Sequence, residues 1–144
     1  MLADKDTVHN LIPQAPPMIM VDTLIEQDDE RSVTGFFIEE DNLFVTRGRF
    51  TEEGLIENMA QSVALRSGWK ALNEYETAGE FIPKVGVIGA VKNFKLYNMP
   101  LVNKEIYTEI EITAEVFNAT MVSGFIKQNG ELMAEAELKI FVPE

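Results

Sequence analysis

Apolar and polar positions change period twice along the 144 residues of the chain. Asp6 to Ile12 reads as a short helix, and Pro13-Gln14-Ala15-Pro16-Pro17 forces an extended entry, because each proline disfavours helix in its predecessor. Met18 to Ile25 is apolar apart from Asp22 and Thr23 and predicts a buried strand; Arg31 to Ile38 and Leu43 to Thr46 predict shorter ones. Asp28-Asp29-Glu30 and Glu39 to Asn42 are the turns between them. The period then changes to that of a helix. From Thr51 to about Glu74, the apolar positions Leu55, Ile56, Met59, Ala60, Val63, Ala64 and Ala71 share one half of a wheel drawn at about 100° per residue. Thr51 is the candidate N-cap, and Glu52 and Glu53 complement the dipole of the first turn.

Beyond Pro83 the period returns to two. Val85 to Tyr97 predicts a strand bent at Gly86 or Gly89. The next strand sets Ile106, Thr108, Ile110, Ile112, Ala114 and Val116 on one face and Tyr107, Glu109, Glu111, Thr113, Glu115 and Phe117 on the other. Met121 to Lys127 and Leu132 to Val142 flank Asn129-Gly130, the pair that a type I′ hairpin turn requires. The sum is α+β: an antiparallel sheet curled around one long helix, in a single domain spanning 1–144. Such a sheet leaves an edge strand and part of the helix uncovered, so at least a dimer is expected.

Composition narrows the chemistry. The net charge of −12 disfavours nucleic acid and anionic lipid, and no apolar run reaches the length of a membrane span, so a cytoplasmic protein is expected. Eight of the 12 basic residues (Arg47, Arg49, Arg66, Lys70, Lys84, Lys92, Lys95, Lys104) lie between 47 and 104. They form either a basic rim or, as the sequence alone favours, scattered surface charge. Without cysteine there is no thiolate chemistry, and with His9 as the only histidine no zinc site of the usual kind can assemble; no metal and no cofactor are expected. His9, in the short N-terminal helix, reads as a surface residue.

The candidate chemistry lies on the long helix. Glu57 falls about 200° from Leu55 on the wheel, beside the small residues Ala60, Ala64 and Gly68, so a carboxylate edges the apolar face along a row that leaves room for a ligand. Partial burial would make it a general acid or base; the wheel alone favours a boundary residue facing water, with the small row serving close packing. Gly54 in the first turn either presents backbone N–H groups to a carbonyl or supplies flexibility there.

Two segments in this order, Leu11-Ile12-Pro13-Gln14-Ala15-Pro16-Pro17-Met18-Ile19-Met20-Val21-Asp22 and Gly48-Arg49-Phe50 through Glu57-Asn58-Met59-Ala60-Gln61, resemble the hotdog-fold 3-hydroxyacyl-[acyl carrier protein] dehydratases. Met59 to Ala64 with Ser67-Gly68-Trp69 is similar to the aryl polyene biosynthesis branch. The resemblance implies a hotdog fold, a role in fatty-acid or polyene biosynthesis, acyl thioesters of acyl carrier protein or coenzyme A as ligands, and active sites shared between two subunits. It matches Glu57 to the helix carboxylate and makes Gly54, Ala60, Gln61 and Ala64 candidate substrate contacts. It also exposes two departures. Gln14 stands where the family carries its catalytic histidine, and Arg49 replaces a second one.

Dehydration needs a proton taken from C2 and one delivered to the leaving hydroxyl, and an amide does neither. Three readings follow: a dehydratase-type subunit, poor as a homodimer, whose site is completed in a heterodimer by a histidine from a related hotdog chain; a thioesterase with Glu57 as general base or nucleophile and Gln14 or a helix N-terminal N–H donating to the carbonyl; or a non-catalytic acyl-binding scaffold.

Overall fold

In the computed structural model, which describes residues 1–74 and 86–141, the chain passes through α1 (Lys5–His9), β1 (Thr23–Gln27), β2 (Arg31–Phe37), β3 (Val45–Thr46), β4 (Arg49–Phe50), α2 (Glu52–Glu74), β5 (Val87–Leu96), β6 (Glu105–Val116), β7 (Ala119–Gln128) and β8 (Glu131–Phe141). Among the described residues, six strands form one antiparallel sheet in the order β1-β2-β6-β7-β8-β5, and β3 pairs only with β4. The sheet holds α2 against one face, the α+β hotdog arrangement.

The core lies between α2 and the sheet. Phe50, Leu55, Met59, Ile106, Ile110 and Ile126 are fully buried there, each stabilising the fold by about 1.5–3 kcal/mol relative to exposure. A second cluster joins Val8, Leu11 and Ile12 to Val21, Leu24 and Leu65, docking the N-terminal segment on the helix. Gly68 makes that docking possible: a Cβ there would lie 2.4 Å from the Leu11 carbonyl oxygen.

Several expectations hold. The hairpin between β7 and β8 turns at Asn129 and Gly130, with φ of 53° and 79°. β5 bends at Gly89, where the register shifts and the Phe141 ring occupies the space a side chain would need. A second shift, between Lys92 and Lys95, accompanies a left-handed Asn93. Val85 and Val142, placed in strands by their pattern, lie outside the described residues.

Others are corrected. α1 runs Lys5–His9 rather than Asp6 to Ile12, because the Asp4 side chain accepts from Thr7 N and caps it one residue earlier, and a tight turn bonds Leu11 N to Val8 O. The β6 alternation stops at a bulge between Ile112 and Ala114, which turns Ala114 and Val116 to the outer face; Val116 is 56% exposed. Only Val45 and Thr46 of the stretch Leu43 to Thr46 are strand; they turn through Arg47 and Gly48, both at positive φ, into β4.

The expected strand from Met18 begins only at Thr23. Pro16 and Pro17, joined by a cis peptide, have no N–H to give a ladder, and the next residues are held by the helix instead. On the far side of β1, Leu24 N donates to Ala3 O and Leu24 O accepts from Leu2 N and Ala3 N, so the N-terminal residues cover that edge of the sheet.

Candidate active site

α2 is not apolar on its buried side. Asn58, Ser62 and Arg66 fall within about 60° of Leu55 on the wheel, and all three are buried, with Gln61 beside them. Buried polar groups need partners, and on this helix most of them reach across to neighbouring backbone and strands. The Ser62 and Thr34 hydroxyls lie 2.8 Å apart. Asn58 Nδ2 donates to Met20 O at 2.7 Å, and Asn58 Oδ1 accepts from the Thr108 hydroxyl at 2.5 Å.

Gln61 does the most. Its Oε1 accepts from Met20 N at 2.6 Å, while Nε2 donates to Met18 O at 2.7 Å and to Glu57 Oε1 at 2.9 Å. Two helix amides therefore grip the backbone of residues 18–20 much as a neighbouring strand would, and the same glutamine orients Glu57.

Glu57 is half-buried, with one carboxylate oxygen bonded to Gln61. Gln14 lies upstream on the gripped segment, where a turn bonds Met18 N to Ala15 O at 2.9 Å. It too is half-buried, and its Oε1 is enclosed with no hydrogen-bond partner among the described residues. Gln14 and Glu57 of one chain are not bonded to each other; the hydrogen bond of Glu57 goes to Gln61.

The small residues are placed as follows. Gly54 is buried where a Cβ would meet the Phe50 ring at 2.6 Å and Phe44 Cβ at 2.9 Å. Ala60 packs on the main core, while Ala64 belongs to the cluster that receives Leu11 and Ile12. The far end of the small row thus seats the N-terminal segment. Thr51 occupies the cap position, with Leu55 N bonded to its carbonyl, but its hydroxyl donates to Phe44 O at 2.9 Å instead of accepting from the helix. Arg49 Nη1 donates to Met99 O at 2.8 Å and ties β4 to the loop after β5.

The other charged candidates lie elsewhere. His9, expected at the surface, is half-buried with its Nε2 enclosed. It shares the wall of a cavity of about 270 Å³ with Lys5, Pro17, Ile19 and Asp22. Burial pushes the Asp22 carboxyl above its usual range, opposed by the Phe37 N–H it accepts at 2.8 Å and by the nearby Lys5 and His9. Arg66, counted among the rim cations, is only 6% exposed, and burial lowers its pKa. Among the described residues no three His, Asp or Glu side chains cluster as metal ligands would, and no helix is long and apolar enough to cross a membrane.

Asn58 and Thr108 carry as much of this geometry as the expected residues do. Their signal in the sequence was polarity at positions whose neighbours are core, Asn58 on the apolar side of the helix and Thr108 on the apolar face of its strand.

The sequence pattern that defines the ApeP-like family, described as ApeP dehydratase, matches residues 6–144. The chain belongs to the ApeP-like dehydratases. It is also 26% identical over 136 residues to the 3-hydroxyacyl-[acyl-carrier-protein] dehydratase FabZ of Clostridium botulinum, covering 94% of this chain and 92% of that one. FabZ of Clostridium acetobutylicum is 25% identical over 139 residues, covering 95% and 96%. Among solved structures, the dehydratase heterocomplex ApeI:P of Xenorhabdus doucetiae superposes with a TM-score of 0.83 at 17% identity, over 95% of this chain and 91% of that one. This ApeP-like chain is therefore a dehydratase-like hotdog protein related to FabZ.

Proposed function

We propose that the chain contributes Glu57 to a 3-hydroxyacyl-thioester dehydratase site whose histidine comes from a second hotdog chain. The observation that carries this reading is the contrast between the two halves of its own site. Glu57 is held by Gln61, on the same side chain that fixes the loop backbone, while Gln14 at the other half has no group that titrates near neutral pH.

Loss of water from the substrate breaks C2–H and C3–O and forms the C2=C3 double bond. One group takes the C2 proton and another protonates the departing hydroxyl, and each such transfer is worth about 10²–10⁴-fold in rate. Glu57 can serve in one of these roles. Gln14 can hydrogen-bond a carbonyl or hydroxyl without moving a proton.

The pairing surface is β5, which among the described residues is bonded on one side only, to β8, and leaves Val87, Val91 and Leu96 exposed. A heterocomplex is the assembly named for the ApeI:P neighbour, and an acyl-carrier-protein thioester is the substrate named for the FabZ relatives. Both are carried over to this chain as part of the proposal.

The test is complementation. A hotdog dehydratase chain that keeps its histidine but has its helix carboxylate replaced by glutamine is mixed with this chain, and 3-hydroxyacyl and 2-enoyl carrier-protein thioesters are followed by mass spectrometry. Turnover in the mixture that neither chain shows alone, and that disappears with Glu57→Gln here, supports a shared site. Turnover by this chain alone refutes the need for a donated histidine. A mixed dimer without turnover leaves the non-catalytic acyl-binding reading in its place.

A further inference from the structure

The open edge of the sheet carries a charge signature that says which kind of partner it accepts; this inference rests on the pairing reading above. β5 reads Val-Ile-Gly-Ala-Val-Lys-Asn-Phe-Lys-Leu, and its only charged residues are Lys92 and Lys95, both exposed. In a chain of net charge −12, this strand is a local inversion of sign. Both lysines stand on the outer face of the sheet. Lys92 is the register partner of Glu137 on β8, and Lys95 Nζ lies 3.9 Å from Glu135 Oε1. Asn93 Nδ2 adds a 3.0 Å bond to Glu137 Oε2. The inboard side of this pair of cations is therefore acidic, and the outboard side is bare among the described residues.

Two copies of the chain joined antiparallel along β5 about a two-fold axis would bring these lysines together. Centred on Lys92, the residue faces its own copy directly. Centred on Val91, it lies diagonal to its copy on the same face, within reach of long side chains. Like charges so placed oppose pairing, whereas Asp or Glu on an incoming strand would complete an acid–base–acid ladder across three strands. We propose that Lys92 and Lys95 disfavour self-pairing of this chain and select a different hotdog chain, whose edge strand carries carboxylates at the facing positions. The exposed Val87, Val91 and Leu96 supply apolar contact to either partner, and the lysines set the choice.

The chain itself can serve as the probe. It is mixed at low salt with a mass-tagged copy carrying Lys92→Glu and Lys95→Glu, and the dimers are counted by native mass spectrometry while amide exchange follows protection along β5. Random pairing makes about half of all dimers mixed at equal concentrations, and two relieved cross-strand repulsions are expected to raise the mixed-to-self ratio roughly five-fold above that, an excess that shrinks in about 1 M salt. A second variant, Lys92→Gln with Lys95→Gln, should self-associate several-fold more tightly than the unmodified chain. Random mixing together with unchanged self-association of the glutamine variant overturns the charge inference and leaves the pairing reading intact. The absence of dimers from every mixture overturns the charge inference alone, and dimers that form without protection of β5 overturn both.

Discussion

Replacing Gln61 with methionine keeps the volume of the side chain and removes all three of its hydrogen bonds. The Met20 N–H loses its acceptor in a fully buried position, which costs about 1–3 kcal/mol. The Met18 carbonyl loses its donor, but Met18 is 39% exposed, so water replaces much of that bond. The bond to the half-buried Glu57 is partly screened by solvent and contributes of order 1 kcal/mol. Allowing for the apolar thioether gained in the core, the expected loss is about 2–4 kcal/mol, a large part of the ~5–15 kcal/mol that stabilises a domain.

Urea unfolding monitored by circular dichroism should therefore show a midpoint lower by about 1–2 M at unchanged slope. Native-state exchange should show the Met20 amide losing protection beyond the global change. Gln61→Glu supplies an informative companion. It can still accept from Met20 N, but it cannot donate to Met18 O and sets a second carboxylate beside Glu57. Its deficit should therefore shrink as added salt screens the two carboxylates. A loss below about 0.5 kcal/mol for Gln61→Met, with Met20 still protected, would refute the claim that this amide holds the loop.

Two further outcomes are expected. Gly68→Ala would force a methyl to within 2.4 Å of the Leu11 carbonyl; because the neighbour is backbone, a loss of about 1–3 kcal/mol is expected, with increased proteolysis of residues 1–12, read by thermal unfolding and limited digestion. The Asp22 carboxyl, raised by burial, binds its proton more tightly folded than unfolded. Its contribution is therefore full below the unfolded carboxylate range and is lost as pH rises through the elevated folded value. Asp22→Asn can still accept from Phe37 N, so the variant's stability relative to the unmodified chain should improve across that window and level off above it, as measured by denaturation at a series of pH values.

The parts of the fold that local chemistry dictates were open to reading. Asn129-Gly130 announces its turn because few other pairs tolerate two positive φ angles, and α2 announces itself because apolar residues hold one face for several turns. What failed did so where a tertiary contact overruled the pattern. Met18 to Asp22 is apolar enough for a strand, yet Met18 O and both backbone groups of Met20 meet amides on a helix about 40 positions away, and no periodicity encodes that. The bulge after Ile112 leaves alternation intact in the sequence while rotating Ala114 and Val116 to the other face.

At the candidate site, Glu57 was legible as a carboxylate at the margin of an apolar stripe, and it is half-buried there. The bond from Gln61 to Glu57 and its hold on residues 18–20 were not legible, because a buried glutamine has four hydrogen-bonding sites and the sequence does not say which groups meet them.

The grip on residues 18–20 touches main-chain atoms alone. The exposed side chain at position 18 is therefore free to change identity without disturbing the anchor, whereas proline at 20 would remove the N–H that Gln61 receives. A loop held this way keeps its frame while the exposed side chain at 18 is exchanged. In related chains, side-chain identity should vary at 18 while the amides at 58 and 61 stay constant.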